Sequence, residues 1–212
     1  GQNWSRYWRD VIYMRRSDER ALFGQNATTV FLTQELNKGT HWDEIARKFI
    51  TAKGEITKNG ECGIILAQMA DPSNVTAEMS RIFMGVQIQC AQCHNHPFDR
   101  WTMDDYYGFA SFFAQIGRKT GEDYREVIVF NRGGGEVNHP LLGKPLPPKF
   151  LGGDAPEIKG VDRREVLASW ITSPSNPFFA TSVANRIWAH FMGVGIINPV
   201  DDIRVSNPAS NP

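Results

Sequence analysis

Apolar residues at helical spacing, cut at intervals by glycine and proline, set what this chain can fold into. In "NVTAEMSRIFMGVQIQ", Val75, Met79, Ile82, Phe83 and Val86 fall at i, i+4, i+7, i+8 and i+11, one face of a helix. Pro97 limits any continuation, because it lacks an amide hydrogen and restricts the residue before it. "NWSRYWRDVIYMRR" predicts an amphipathic helix over 4–16, and "TTVFLTQELNKG" a second one stopped by Gly39. Thr40 is placed to cap a third, "HWDEIARKFITAKG", with Asp43 three residues on as in a capping box. "ECGIILAQMA" reads as a short buried helix. In "TMDDYYGFASFFAQIG", Thr102 is the expected cap, Asp105 the third position and Gly117 the stop.

The pattern then changes. "YREVIVFNRGGGEVNHP" is β-branched and predicts a hairpin with "NRGGG" as its turn. "LLGKPLPPKFLGG" reads as a linker or a laid-down extended segment. Two helices follow, "DRREVLASWIT" and "NPFFATSVANRIWAHFMG". In the second, Asn176 is the expected cap, Pro177 lies in the first turn and Gly193 is the stop.

Composition excludes several classes. Lysine plus arginine and aspartate plus glutamate number 23 each, so no basic excess supports general nucleic-acid binding. No apolar run approaches the ~20 residues that span a bilayer. No signal peptide is visible, but the chain reads as a piece of a longer protein. It opens on Gly1 already in a helical pattern and ends on "SNPASNP". Three cysteines do not make a disulfide scaffold.

Two of those cysteines sit in "QCAQCHNHPFDRW", which contains Cys-x-x-Cys-His as Cys90, Cys93 and His94. Covalent haem attachment needs two thiols that reach the two vinyl groups of one porphyrin, and an imidazole on the iron from the same turn. Shuffling 3 cysteines and 5 histidines over 212 positions gives roughly 0.0007 such matches, so accident is a poor explanation. Zinc also selects Cys-x-x-Cys. Cys62, Cys90, Cys93 and either His94 or His96 would supply a closed Cys₃His set. Against zinc, Cys62 lies inside an apolar segment and no second Cys-x-x-Cys occurs. An inert buried corner or a redox dithiol is the third reading.

His96 follows His94 too closely to reach the opposite face of a haem, and its expected role is to hold the turn. A distal ligand, if this chain supplies one, falls to His139, whose plainer reading is an exposed strand-end histidine. An open iron position is the alternative. Mid-helix Met69, Met79, Met84 and Met103 read as core filler. The acid pairs Asp104-Asp105 and Asp201-Asp202 read as helix capping and a polar loop. No nucleophile elbow, P-loop or dinucleotide fingerprint is present, so no enzyme is assigned to this stretch.

"FMGVQIQCAQCHNHPFDRWTMDDYYGFASFF" resembles the planctomycete cytochrome-C-like domain family of unknown function. "DRREVLASWITSPSNPFFATSVANRIWAHFMGVGIINPVDDIRVSNPASNP" resembles the start of the planctomycete-specific domain of unknown function that commonly follows it, and "GEVNHPLLGKPLPPKFLGG" looks like the joint between them. The resemblance implies a periplasmic or secreted protein in which Cys90, Cys93 and His94 bind haem c, with His94 as the proximal iron ligand. It carries over no established activity and no redox partner. The expectation is a mainly α protein: a helical cytochrome-like domain over 1–117, a hairpin and linker over 118–160, and the beginning of a second helical domain over 161–212. The expected function is extracytoplasmic electron transfer by a c-type haem protein. The alternatives are an exported interaction module with a Cys/His zinc site, or part of an exported hydrolase-like enzyme with its active site elsewhere.

Overall fold

The computed structural model describes residues 1–123 and 125–210, leaving aside the side chain of Arg20. It is mainly helical, as expected. Helix α1 (Gln2–Tyr13) buries Trp8, Val11, Ile12 and Tyr13, and it ends three residues before the expected Arg16. It packs on α2 (Gln25–Asn37), where the Tyr13 hydroxyl lies 3.0 Å from Thr28 Oγ1. Helix α3 (Trp42–Thr51) starts after His41, so the expected Thr40 capping box does not form. The Thr40 hydroxyl instead donates to Glu35 Oε2 at 3.0 Å. Glu35 also accepts from Lys38 and Lys48, and a bond to an ionised carboxylate outcompetes a neutral helix cap.

A two-residue strand β1 (Gly54–Glu55) leads into the fully buried α4 (Gly63–Ala67). Asp71 then caps α5 (Pro72–Met79) by accepting from the Asn74 amide, with Pro72 in the first helical position. The helix widens into a π turn over Ser80–Met84 and stops at Gly85, whose φ of 67° is left-handed. A side chain at Gly85 would collide with Ile203 and Ser182. Val75, Met79, Ile82, Phe83 and Val86 are all buried, but so is every residue between them, and Val86 lies past the helix end, so the segment is buried all round and not on one face as expected.

Helix α6 (Met103–Ala110) carries the expected capping box. Thr102 Oγ1 accepts from the Asp105 amide, and Asp105 Oδ2 accepts from the Thr102 amide. It ends before the expected stop at Gly117. Ile116 and Gly117 open a strand, β2 (Ile116–Thr120), which pairs antiparallel with β3 (Val127–Asn131). The sheet order is β1-β3-β2. The hairpin therefore runs backwards from β3 to β2, and "NRGGG" lies after it instead of forming its turn. The β-branched run Val127-Ile128-Val129 offers Arg118, Lys119 and Thr120 a ladder, which outweighs the local stop signal of one glycine. A separate small hairpin joins β4 (Asn138–His139) to β5 (Lys144–Pro145).

The Pro/Gly-rich segment after β5 lies down on the helices. The Phe150 ring stacks between Phe112 at 5.4 Å and Trp170 at 4.7 Å. Helix α7 (Arg163–Ile171) is capped by Asp162 and puts Leu167, Ala168 and Ile171 into the same buried cluster as Phe49 and Phe83. Asn176 Oδ1 accepts from the Phe178 and Phe179 amides, but α8 (Phe179–Met192) starts later than expected, with Phe178 at its N-cap and no side-chain cap, so Asn176 and Pro177 lie in the turn before it. Gly193, with φ of 81°, ends it as expected. Helix α8 buries Ser182, Asn185 and Arg186 and leaves Trp188, Phe191 and Met192 exposed.

A buried ion cluster ties distant segments together. The Arg81 side chain, 1% exposed, donates to both oxygens of Glu78, to Asp201 Oδ2 at 3.1 Å and to the Val11 carbonyl at 2.8 Å. Gln87 donates to the other Asp201 oxygen at 3.2 Å. The Ile203 amide donates to the Gly85 carbonyl at 2.8 Å.

Two stability predictions follow from these carboxylates. Asp201→Ala leaves part of a buried guanidinium unpaired, so urea denaturation should show a loss of about 2 kcal/mol; an unchanged midpoint would contradict this. The Lys48 and Lys38 ammonium groups, working against burial and helped by Thr40, hold the Glu35 carboxyl down at about 2 against an ordinary 4.5. Its stabilisation is fully present above 4.5 and is lost as pH falls from 4.5 toward 2. In Glu35→Gln the acid limb of a Tm-against-pH curve should therefore flatten in that window. A limb as steep as in the wild type would exclude Glu35 as its source.

Candidate functional site

The Cys-x-x-Cys-His segment begins in a 3₁₀ turn, Gln89–Gln92, with Cys93 as its C-cap and His94 in the bend after it. Ile88 and Ala91 are buried and anchor it, while residues Gln89–Gln92 wind with the Cys93 amide donating to the Cys90 carbonyl at 3.4 Å. Cys90 lies within this turn and Cys93 caps its end. Both Cys90 and Cys93 are free and exposed. His94 is exposed beside them. Its Nδ1 lies 2.8 Å from the Asn95 carbonyl, which can only accept. In the neutral ring that contact keeps the proton on Nδ1, so the lone pair falls on Nε2, the form in which imidazole binds a metal.

The turn is held from behind by α6. Tyr107 donates its hydroxyl to the Gln92 carbonyl at 3.0 Å, and Asn95 Oδ1 accepts from the Met103 amide at 3.1 Å. His96 closes the following loop. Its amide donates to the Trp101 carbonyl at 2.7 Å, and its Nδ1 accepts from the Phe98 amide at 3.2 Å. The last segment of the chain clasps the loop's tip. Ser206 donates to the Phe98 carbonyl at 2.8 Å, and the Arg204 guanidinium lies 5.6 Å from the Phe98 ring centre. Asn95 and Tyr107 are positioning residues that the sequence reading did not single out. Asn95 lay within the motif itself; Tyr107 was masked by the apolar face around it.

The other candidates are placed differently. Cys62 is fully buried, in the turn before α4, with its Sγ 3.7 Å from the Gly54 carbonyl oxygen. Burial, reinforced by the charge of Glu61 and opposed by Arg164, pushes its thiol up to about 12. Among the described residues, no three His, Cys, Asp or Glu side chains gather in a geometry that could hold a metal ion. The set Cys62, Cys90, Cys93 and His96 is thus not assembled, because Cys62 is a core residue while the other cysteines are on the surface. His139 is not an exposed strand-end residue: its ring is 2% exposed and packs 4.9 Å from the Tyr107 ring. Its Nδ1 accepts from the Leu141 and Leu142 amides at 3.2 and 3.3 Å. Its Nε2 lies 3.1 Å from Asp104 Oδ1 but is not aligned for a hydrogen bond.

The turn thus carries two free, exposed thiols three residues apart and an exposed imidazole directly after the second. No described helix is long and apolar enough to cross a membrane.

No curated protein and no solved structure matches the chain. Residues 163–212 match PSD1, described as a protein of unknown function (DUF1553). Residues 1–118 match PSCyt2, described as a protein of unknown function (DUF1549). As that match spans more than half of the sequence, the chain belongs to the PSCyt2 family.

Proposed function

We propose that Cys90 and Cys93 attach a haem c, that His94 binds its iron, and that the protein transfers electrons outside the cytoplasm. The observation that supports this reading is the His94 ring, held at Nδ1 by the Asn95 carbonyl, next to two free, exposed thiols in and at the end of one 3₁₀ turn. Bound haem would supply one-electron redox chemistry. The chain's own part is to keep both thiols outward, to hold the His94 proton on Nδ1 through Asn95, and to fix the turn through Tyr107. A periplasmic or secreted location accompanies this reading, since c-type attachment belongs to that compartment. His139 holds the β4–β5 turn against α6, because its ring is buried and its Nδ1 already accepts two amides. We leave the opposite face of the iron open to water or an external ligand.

The test is expression of the exported chain with haem-maturation machinery. The wild type should show a Soret band that survives acid-acetone extraction. The Cys90→Ala, Cys93→Ala double variant should lose it on extraction, and His94→Ala should keep the pigment with a shifted visible spectrum. A folded, matured but colourless wild type would refute the proposal.

Cys62→Ala separates haem from zinc. As a core residue beside Ile64, Ile65 and Leu66, Cys62 should cost about 1 kcal/mol on truncation and leave haem content unchanged. Stoichiometric zinc in the wild type, lost with the fold in Cys62→Ala, would reverse the assignment.

A further inference from the structure

A cleft of about 450 Å³ lies between the start of β2 and the corner that joins α4 to α5, lined among others by Met69, Ala70, Arg118, Phe130 and Arg132. Its size falls within the range of small-molecule sites. Its charge is unbalanced. Two guanidinium groups line it, and among the described residues neither has a carboxylate within ion-pair reach. Arg118 is exposed, and its contact is Nη1 to the Met69 sulfur at 3.9 Å. Arg132 donates Nε and Nη2 to the Ile116 carbonyl, which fixes the guanidinium plane and leaves Nη1 unengaged. The one acid of the lining, Asp71, caps α5 through Oδ1, and its single charge leaves the lining with the two arginines net positive. Among other arginines without a carboxylate partner, Arg47 is spent on the Ser169 hydroxyl, Arg100 on the Trp101 ring and Arg186 on the Arg81 carbonyl and Trp8 ring.

The backbone adds an independent mark. Met69 and Ala70 both have φ of 54°, and among the described residues they are the only non-glycines at positive φ. Side chains resist that region, and consecutive residues in it are costlier still. The corner persists because the Met69, Ala70 and Asp71 amides donate to Leu66, Ile65 and Gln68 carbonyls. Strain held in this way concentrates at ligand sites. At the opposite wall, Gly117 leaves no room for a side chain, since a Cβ would meet Phe130 at 2.7 Å and Arg132 at 2.8 Å. The Arg132 stem is therefore packed in place.

We infer that this cleft binds the oxyanion group of a small organic anion, a carboxylate, sulfate or phosphate, between Arg118 and Arg132. Guanidinium forks match such planar or tetrahedral oxygens and bind them by paired hydrogen bonds. Ile116, Pro72 and Phe130 would face the ligand's carbon body. The site is separate from the Cys90–His94 turn and does not depend on haem.

The test is titration of the uniformly ¹⁵N-labelled chain with sodium phosphate, sodium sulfate and disodium succinate at constant ionic strength. At least one probe should give saturable shifts at the Met69, Ala70 and Gly117 amides, and the probe that binds identifies the head group. Arg118→Gln, which removes no structural hydrogen bond to backbone, should weaken that binding by about tenfold. The exposed Arg6→Gln should leave it unchanged. The absence of saturable shifts with all three probes would overturn the inference, as would equal binding by Arg118→Gln.

Discussion

The guanidinium of Arg81 cannot be buried without partners, and the way it is satisfied organises the molecule. A charge taken out of water costs several kcal/mol unless it is paired and hydrogen-bonded. Here Glu78 supplies two oxygens from one turn back, Asp201 supplies one from 120 residues on, and Val11 supplies a carbonyl from α1. Burial alone would lower the Arg81 pKa; Glu78 and Asp201 outweigh it and raise it. The side chain sits in the π turn after α5, a few residues before the Cys90 turn. Asp201 comes from the stretch that matches the second family, so the two matched regions share one buried cluster. Arg164 repeats the theme, donating from α7 to the Ala52 carbonyl at the end of α3 while paired with Asp162.

This explains why a surface turn can be well defined. Cys90 and Cys93 are exposed, but the backbone that carries them is not loose. Ile88 and Ala91 are in the core, Tyr107 holds Gln92, and Asn95 joins the loop to the capped first turn of α6. Preorganisation of this kind costs nothing further when a rigid group is attached. The Arg118–Arg132 cleft rests on a different support, the β2–β3 ladder and the strained corner at Met69.

What could be read from the sequence follows how local its cause is. The Thr102–Asp105 box and the Gly193 stop need only four or five residues and were legible. So was the burial of Val75, Met79, Ile82, Phe83 and Val86, but not that the helix ends at Gly85 and is buried on every side. The Thr40 cap failed because Glu35, on another helix, claimed the hydroxyl. Gly117 read as a stop and "NRGGG" as a turn, but strand pairing between Ile116 and Asn131 is a nonlocal choice that neither signal reveals. In the site, Cys90, Cys93 and His94 were legible as a motif. The pinned ring of His94, the burial of His139 and the withdrawal of Cys62 into the core depend on packing between elements, which spacing along the chain does not encode.

The central claim is that the two surface thiols are attachment points for one haem. Intact-mass spectrometry of the exported, matured chain, combined with iodoacetamide labelling under denaturing conditions, tests it most directly. The account predicts a mass increase of one haem, with Cys62 alkylated and Cys90 and Cys93 unreactive. A bare-chain mass with all three thiols alkylated would contradict it.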